Sequence, residues 1–266
     1  MLSRTSPAET TRDRGHRGGV IGMHRALAHF RLGPMNMATS LALLALFSWI
    51  WVGILPRVCR FWSRTLAIGV STLPLHARLD VAERHFGFVT LQIPYLRMEP
   101  ILPSLWLWSV TCAVTLLLFA ATYLLPKHLT PVVYLSRAVL IVQGTALVYF
   151  ALWPVGFPHT PDGYMEALVT AIIALITVVP GLYALTYYIF DFGLAKKALL
   201  TSITMAHLTL FLPLQVLLQA LVLQTTVLFM PVLYIVCGML VDVLLIIAFY
   251  SWGMTWSFRP AAPSSR

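Results

Sequence analysis

The chain has 266 residues, of which 59% are apolar and 10% charged, and its formal net charge is +9. An ordinary soluble domain carries about a quarter charged residues, so this composition excludes one. Apolar runs of about 20 residues recur between residues 37 and 256, the length at which a helix crosses the hydrocarbon layer of a bilayer.

The chain opens with Arg4, Arg12, Arg14, Arg17, Arg25 and Arg31. No aromatic ladder is interleaved with these arginines to stack bases, so no nucleic-acid partner is expected. They read as a disordered basic cytoplasmic tail over 1–36 that also acts as a topology signal. Met23, Met35 and Met37 offer later starts within or next to it.

The first span covers 37–56. It ends in Leu55-Pro56-Arg57 rather than in a small-residue cleavage site, so it reads as a retained anchor. A connection over 57–102 follows. Phe61 to Leu75 is apolar and too short to span, which suits a segment lying on the membrane surface. Ala77 to His85 carries its charges at helical spacing, whereas Phe86 to Ile93 reads as a strand. One strand is not stable alone. It must pair within the connection, with a second copy of the chain, or with a partner.

Five further spans complete a bundle over 103–256: about 103–125, 132–153, 165–190, 198–222 and 227–252. A cytoplasmic tail over 257–266 ends the chain. The runs do not alternate as barrel strands do, so the expected fold is an all-α membrane bundle of six helices, each satisfying its own backbone. Trp49, Trp51, Trp106, Trp108, Trp153, Trp252 and Trp256 lie near span ends, where indole suits the headgroup zone. Pro180 and Pro213 fall inside the fourth and fifth spans and should kink them or free a carbonyl. Pro231 sits in the first turns of the sixth. Gly193 should end the fourth helix.

Lys and Arg set the orientation. Lys127, Lys196 and Lys197 mark two connections as cytoplasmic, while the 3–4 and 5–6 connections carry neither residue. Both termini are therefore expected in the cytoplasm of a bacterial-type inner or plasma membrane. The arginines of 57–102 dissent, but a long translocated segment weighs less.

Intramembrane polar residues are the candidate site. If the last two spans form a tight hairpin centred near Gln224 and Thr225, His207 and Asp242 stand at equal depth, and Gln215 faces Tyr234. This seam of His207, Asp242, Gln215 and Tyr234 suits either proton exchange between imidazole and carboxylate or plain helix–helix hydrogen bonding. Weaker candidates are Asp162, Glu166 and His159 at the outer end of the fourth span, and Asp191 at its inner end.

Cys59, Cys112 and Cys237 are widely spaced and form no metal-ligand pattern with the eight histidines. There is no P-loop, GxGxxG, HExxH or GxSxG motif, and nothing points to a cofactor. The reading leans against an enzyme. It favours a non-catalytic subunit or assembly factor, held in the lipid bilayer beside another membrane protein or a second copy of itself, with 57–101 as its outer docking surface. A small proton-coupled carrier using the His207–Asp242 pair, and an intramembrane enzyme acting on a lipid-linked substrate, are the rivals.

Overall fold

The computed structural model describes residues 34–86, 89–153, 156–187 and 193–255. The two tails, and Asp191, lie largely or wholly outside the described residues. In chain order the elements are α1 (Pro34–Thr72), β1 (Ala77–Phe86), β2 (Val89–Met98), α2 (Leu105–Ala121), α3 (Thr130–Leu152), α4 (Pro161–Tyr187), α5 (Leu194–Leu223), α6 (Met230–Val236) and α7 (Met239–Thr255), with short 3₁₀ turns before α3 and α6.

Among the described residues, five segments are long and apolar enough to cross a membrane: α1, α3, α4, α5 and Val227–Gly253, which takes in α6 and most of α7. This supports a membrane-embedded, mainly helical protein. The second expected span is represented by α2, which is apolar but only 17 residues long. At the helical rise it covers about 25 Å, short of a hydrocarbon layer about 30 Å thick.

α1 departs most from the sequence reading. It does not stop at Pro56, and Phe61 to Leu75 is not a separate surface segment; one helix of 39 residues runs through both. Pro56 removes one backbone donor, yet the helix continues because its buried seam does. Trp51, Leu55, Cys59, Trp62, Leu66 and Gly69 recur at helical spacing on both sides of the proline. Arg57, Arg60 and Arg64 stay on the exposed face.

Two of the seam tryptophans are inter-helix contacts rather than headgroup anchors. Trp51 is 1% exposed and its Nε1–H donates to Thr177 Oγ1 of α4 at 2.9 Å. Trp62 is fully buried and donates to the Thr209 carbonyl of α5 at 2.8 Å. That carbonyl lies four residues before Pro213, the helix position whose missing N–H leaves it without a backbone donor. Of the other expected belt residues, Trp49, Trp106, Trp153 and Trp252 are exposed, Trp108 is half-buried against α3, and Trp256 lies outside the described residues.

The 77–98 segment is a hairpin, not a helix followed by a strand. β1 and β2 pair antiparallel from Ala77 opposite Met98 to Phe86 opposite Val89. The strand predicted over Phe86–Ile93 thus straddles the connection between two strands. Pairing to β2, which is rich in residues that favour a pleated sheet, overrides the helical charge spacing of β1. β2 lays Leu91, Ile93, Leu96 and Met98 against the helices, with α1 and α4 as its neighbours. Burying each of these side chains contributes about 2 kcal/mol. Pro94 is tolerated because β2 is an edge strand.

α4 and α5 form the centre. Tyr183 bonds Thr204 at 2.8 Å and Tyr187 bonds Thr201 at 3.0 Å near one end; the Tyr164 hydroxyl donates to Gln219 Oε1 near the other. α1 and the hairpin flank this pair on one side, and α7 packs on it as well. α2 packs on α3, where Trp108 donates to the Leu147 carbonyl at 3.0 Å and Arg137 donates to Thr122 at 2.9 Å while lying over Tyr123. Arg137 therefore closes the α2–α3 corner. α3 joins the rest through Ala146, Leu147 and Phe150 against Val227 and Leu228. Gly193, expected to end α4, is the N-cap of α5, and 188–192 lie outside the described residues.

Candidate functional site

Two of the places that gather polar side chains from distant parts of the chain bear on function. The first is a cleft of about 1180 Å³ at the base of the hairpin. Leu75 to Asp80 and Arg97 to Ile101 form its walls, and Thr160, Asp162 and Gln224 close it from the helix ends. Gln224, the C-cap of α5, accepts from the His76 backbone N–H at 3.4 Å, and the Val227 N–H donates to the Ile101 carbonyl at 2.9 Å. These two bonds tie the hairpin base to the α5–α6 turn.

Charge in the cleft is mixed. Arg97 pairs with Asp80 at 3.5 Å, and the Tyr95 hydroxyl donates to the same carboxylate at 3.3 Å. Partial burial, then the adjacent Asp80 carboxylate, raise the pKa of the Tyr95 hydroxyl above its ordinary value. Asp80 also accepts from the Val81 N–H at 2.8 Å. Arg78, Glu99, Asp162 and His76 add further charge or titratable groups. Of the outer acids expected from sequence, Asp162 lines this cleft. Glu166, one turn further along α4, pairs with Arg84 near the other end of β1 at 2.5 Å. His159 is exposed, with its ring 5.7 Å from that of Phe157.

The second place is a break in the sixth span. α6 stops at Val236 and α7 starts at Met239, leaving Cys237 and Gly238 outside either helix. A side chain at Gly238 would run into the Tyr234 carbonyl, so only glycine fits this backbone. The break releases carbonyls from the helix ladder, and two glutamines one turn apart on α5 take them up. Gln215 Nε2 lies 2.6 Å from the Cys237 carbonyl, 3.4 Å from that of Gly238 and 3.3 Å from Asp242 Oδ2. Gln219 Nε2 lies 2.5 Å from the Cys237 carbonyl, and its own oxygen is held by Tyr164. Asp242 is 1% exposed, in the first turn of α7.

The expected seam is thus partly assembled and partly dispersed. Gln215 and Asp242 meet. Tyr234 is largely exposed and its ring stands 6.0 Å from that of Tyr164. His207 does not reach Asp242: its ring stacks on Phe211 at 5.5 Å and meets the edge of Phe249 at 5.0 Å. The reason is register. A tight turn would set the expected register, but Thr226 is extended and Val227–Phe229 forms a 3₁₀ turn before α6 begins. Those residues are spent before the chain returns alongside α5. Phe249, seven positions beyond Asp242, therefore stands opposite His207.

Sequence reasoning missed Gln219 and Tyr164. Gln219 lies four residues after Gln215 and so shares its helix face, a signal visible in the sequence. It also missed Lys197. Read as a cytoplasmic loop charge, Lys197 is 2% exposed, donates to the Tyr187 carbonyl at 2.8 Å and lies over the Tyr187 ring. Among the described residues, no group of three His, Cys, Asp or Glu side chains is placed to hold a metal ion. Comparison with family models, with curated proteins and with solved structures finds no match.

Proposed function

We propose that this chain is a non-catalytic subunit of a membrane complex, and that the cleft at the hairpin base receives an extramembrane segment of a partner membrane protein. The observation that supports this reading is the cleft itself: about 1180 Å³, open at the surface, and built by four segments distant in sequence. Its basic residues, Arg78 and Arg97, stand among the acids Asp80, Glu99 and Asp162. A polypeptide carrying both signs of charge complements such a surface better than a simple ion does. Each strand of the hairpin pairs with the other along one edge, and Asp80 occupies the Val81 N–H. The partner binds, in this reading, through side chains in the cleft. In this reading the chain crosses a bacterial-type inner or plasma membrane six times, α2 included. Both termini lie in the cytoplasm and the hairpin lies outside, as the basic tail and Lys196 favour.

Photo-crosslinkers at Arg78 in the cleft and at Val148 on the exposed face of α3 test this. The expected result is a protein adduct at Arg78, lipid adducts at Val148, and external labelling of Arg78→Cys in intact cells. Charge reversal by Arg97→Glu should weaken partner association about tenfold, equivalent to about 1.4 kcal/mol. Native mass spectrometry showing a monomer throughout, with lipid adducts alone at Arg78, would overturn the reading.

A further inference from the structure

The helix break poses a charge problem that its own hydrogen bonds do not solve. Asp242 is 1% exposed within a segment apolar enough to span a membrane, and an ionised carboxylate there is costly unless paired. No ion pair to Asp242 forms among the described residues; the two that form, Arg84–Glu166 and Arg97–Asp80, are both at the hairpin. Its side-chain donor is Gln215 Nε2 at 3.3 Å. That same amide leaves its oxygen buried and without a partner, on a residue 5% exposed. A buried acceptor with no donor thus stands beside a buried acid with no counter-charge.

We propose that Asp242 is a proton-binding carboxyl within the membrane, and that Gln215 is the positioning residue whose amide follows its charge state. With Asp242 ionised, the amide nitrogen faces Oδ2 and the carbonyls of Cys237 and Gly238, as the structure shows. A proton taken from the aqueous phase onto Oδ2 removes an acceptor there and creates a donor. A rotation of the Gln215 amide turns Oε1 toward Oδ2 so that the new O–H donates to it, and the side chain draws back from the Cys237 carbonyl, because two acceptor oxygens cannot stay at the 2.6 Å that Nε2 holds. The Cys237 carbonyl keeps a donor throughout, because Gln219 also binds it and Tyr164 holds Gln219 in place. Proton binding therefore gives the Gln215 oxygen the donor it lacks, and the Gln215 bonds to the break are made in one state only. The titratable groups around the break are Tyr164 on α4, Tyr234 on α6 and Cys237 itself. His207 on α5 is turned against Phe211 and Phe249. This inference is independent of the docking reading of the cleft.

Difference infrared spectroscopy on the full chain in lipid nanodiscs, titrated with pH in H₂O and D₂O, tests it. The expected result is a protonated-carboxyl band that shifts in D₂O, is lost in Asp242→Asn, and moves to higher frequency in Gln215→Leu. If Asp242→Asn does not fold, Asp242→Glu replaces it and the band should move with the side chain. A band unmoved by either Asp242 variant, or no protonated-carboxyl band at any pH where the chain stays folded, would overturn the proton site. An unmoved band in Gln215→Leu would overturn the role of the amide. Sodium rather than pH setting the thermal midpoint of the wild type, but not of Asp242→Asn, would make this an alkali-cation site instead.

Discussion

At the Thr209 carbonyl, a proline and a tryptophan act together. Pro213 withholds the backbone donor that would meet this oxygen in a regular helix. Trp62 supplies an indole N–H from α1 at 2.8 Å. Removing that N–H while keeping an aromatic ring leaves the carbonyl buried and unpaired, at a cost of about 1–3 kcal/mol. Trp62→Phe is therefore expected to lower the thermal midpoint of the detergent-solubilised chain. In Pro213→Ala the backbone N–H is restored, and Trp62→Phe should then cost less. A double-mutant cycle with no coupling between the two positions would refute this pairing. Tryptophan is easily read as a headgroup anchor from its place near a span end. Whether it serves as one depends on which helix face it occupies, and Trp51 and Trp62 occupy the buried face of α1.

Among the elements, the hairpin was the least legible in the sequence. Its second strand is written in alternating apolar residues, and Ile93, fully buried, lies at its centre. Its first strand carries charges at spacings that suit a helix equally well. Only the partner strand and the helices beneath decide between the two. The hairpin is held by burial much more than by its ion pairs. Ile93→Ala should cost about 2–5 kcal/mol, read as faster hydrogen exchange across 77–98. Arg84→Ala should cost less than about 1 kcal/mol, because the arginine of the Arg84–Glu166 pair is 56% exposed. Equal effects from the two substitutions would mean that charge, not packing, seats the hairpin. The same balance explains α1, whose apolar seam carries the helix past Pro56 at the point where the sequence suggested an end.

Across the whole molecule, the register of the last two spans decides which residues can cooperate. A cysteine pair replacing His207 and Phe249 is expected to crosslink with a short bifunctional reagent in membranes more readily than a pair replacing His207 and Asp242. The opposite preference would restore the tight-turn register. The amino-acid sequence by itself pointed to a membrane-embedded, mainly helical chain, to the approximate places of its long apolar segments, and to Asp242 and Gln215 as costly polar residues within them. These follow from composition and local periodicity, which act within one segment at a time. Tertiary structure alone decided that Gln215 rather than His207 meets Asp242, that Lys197 is buried, and that the base of the hairpin and the ends of α4 and α5 form one cleft. Each of these depends on residues far apart in the chain. A turn a few residues longer than the sequence suggested re-pairs every position beyond it, and no local pattern records that length.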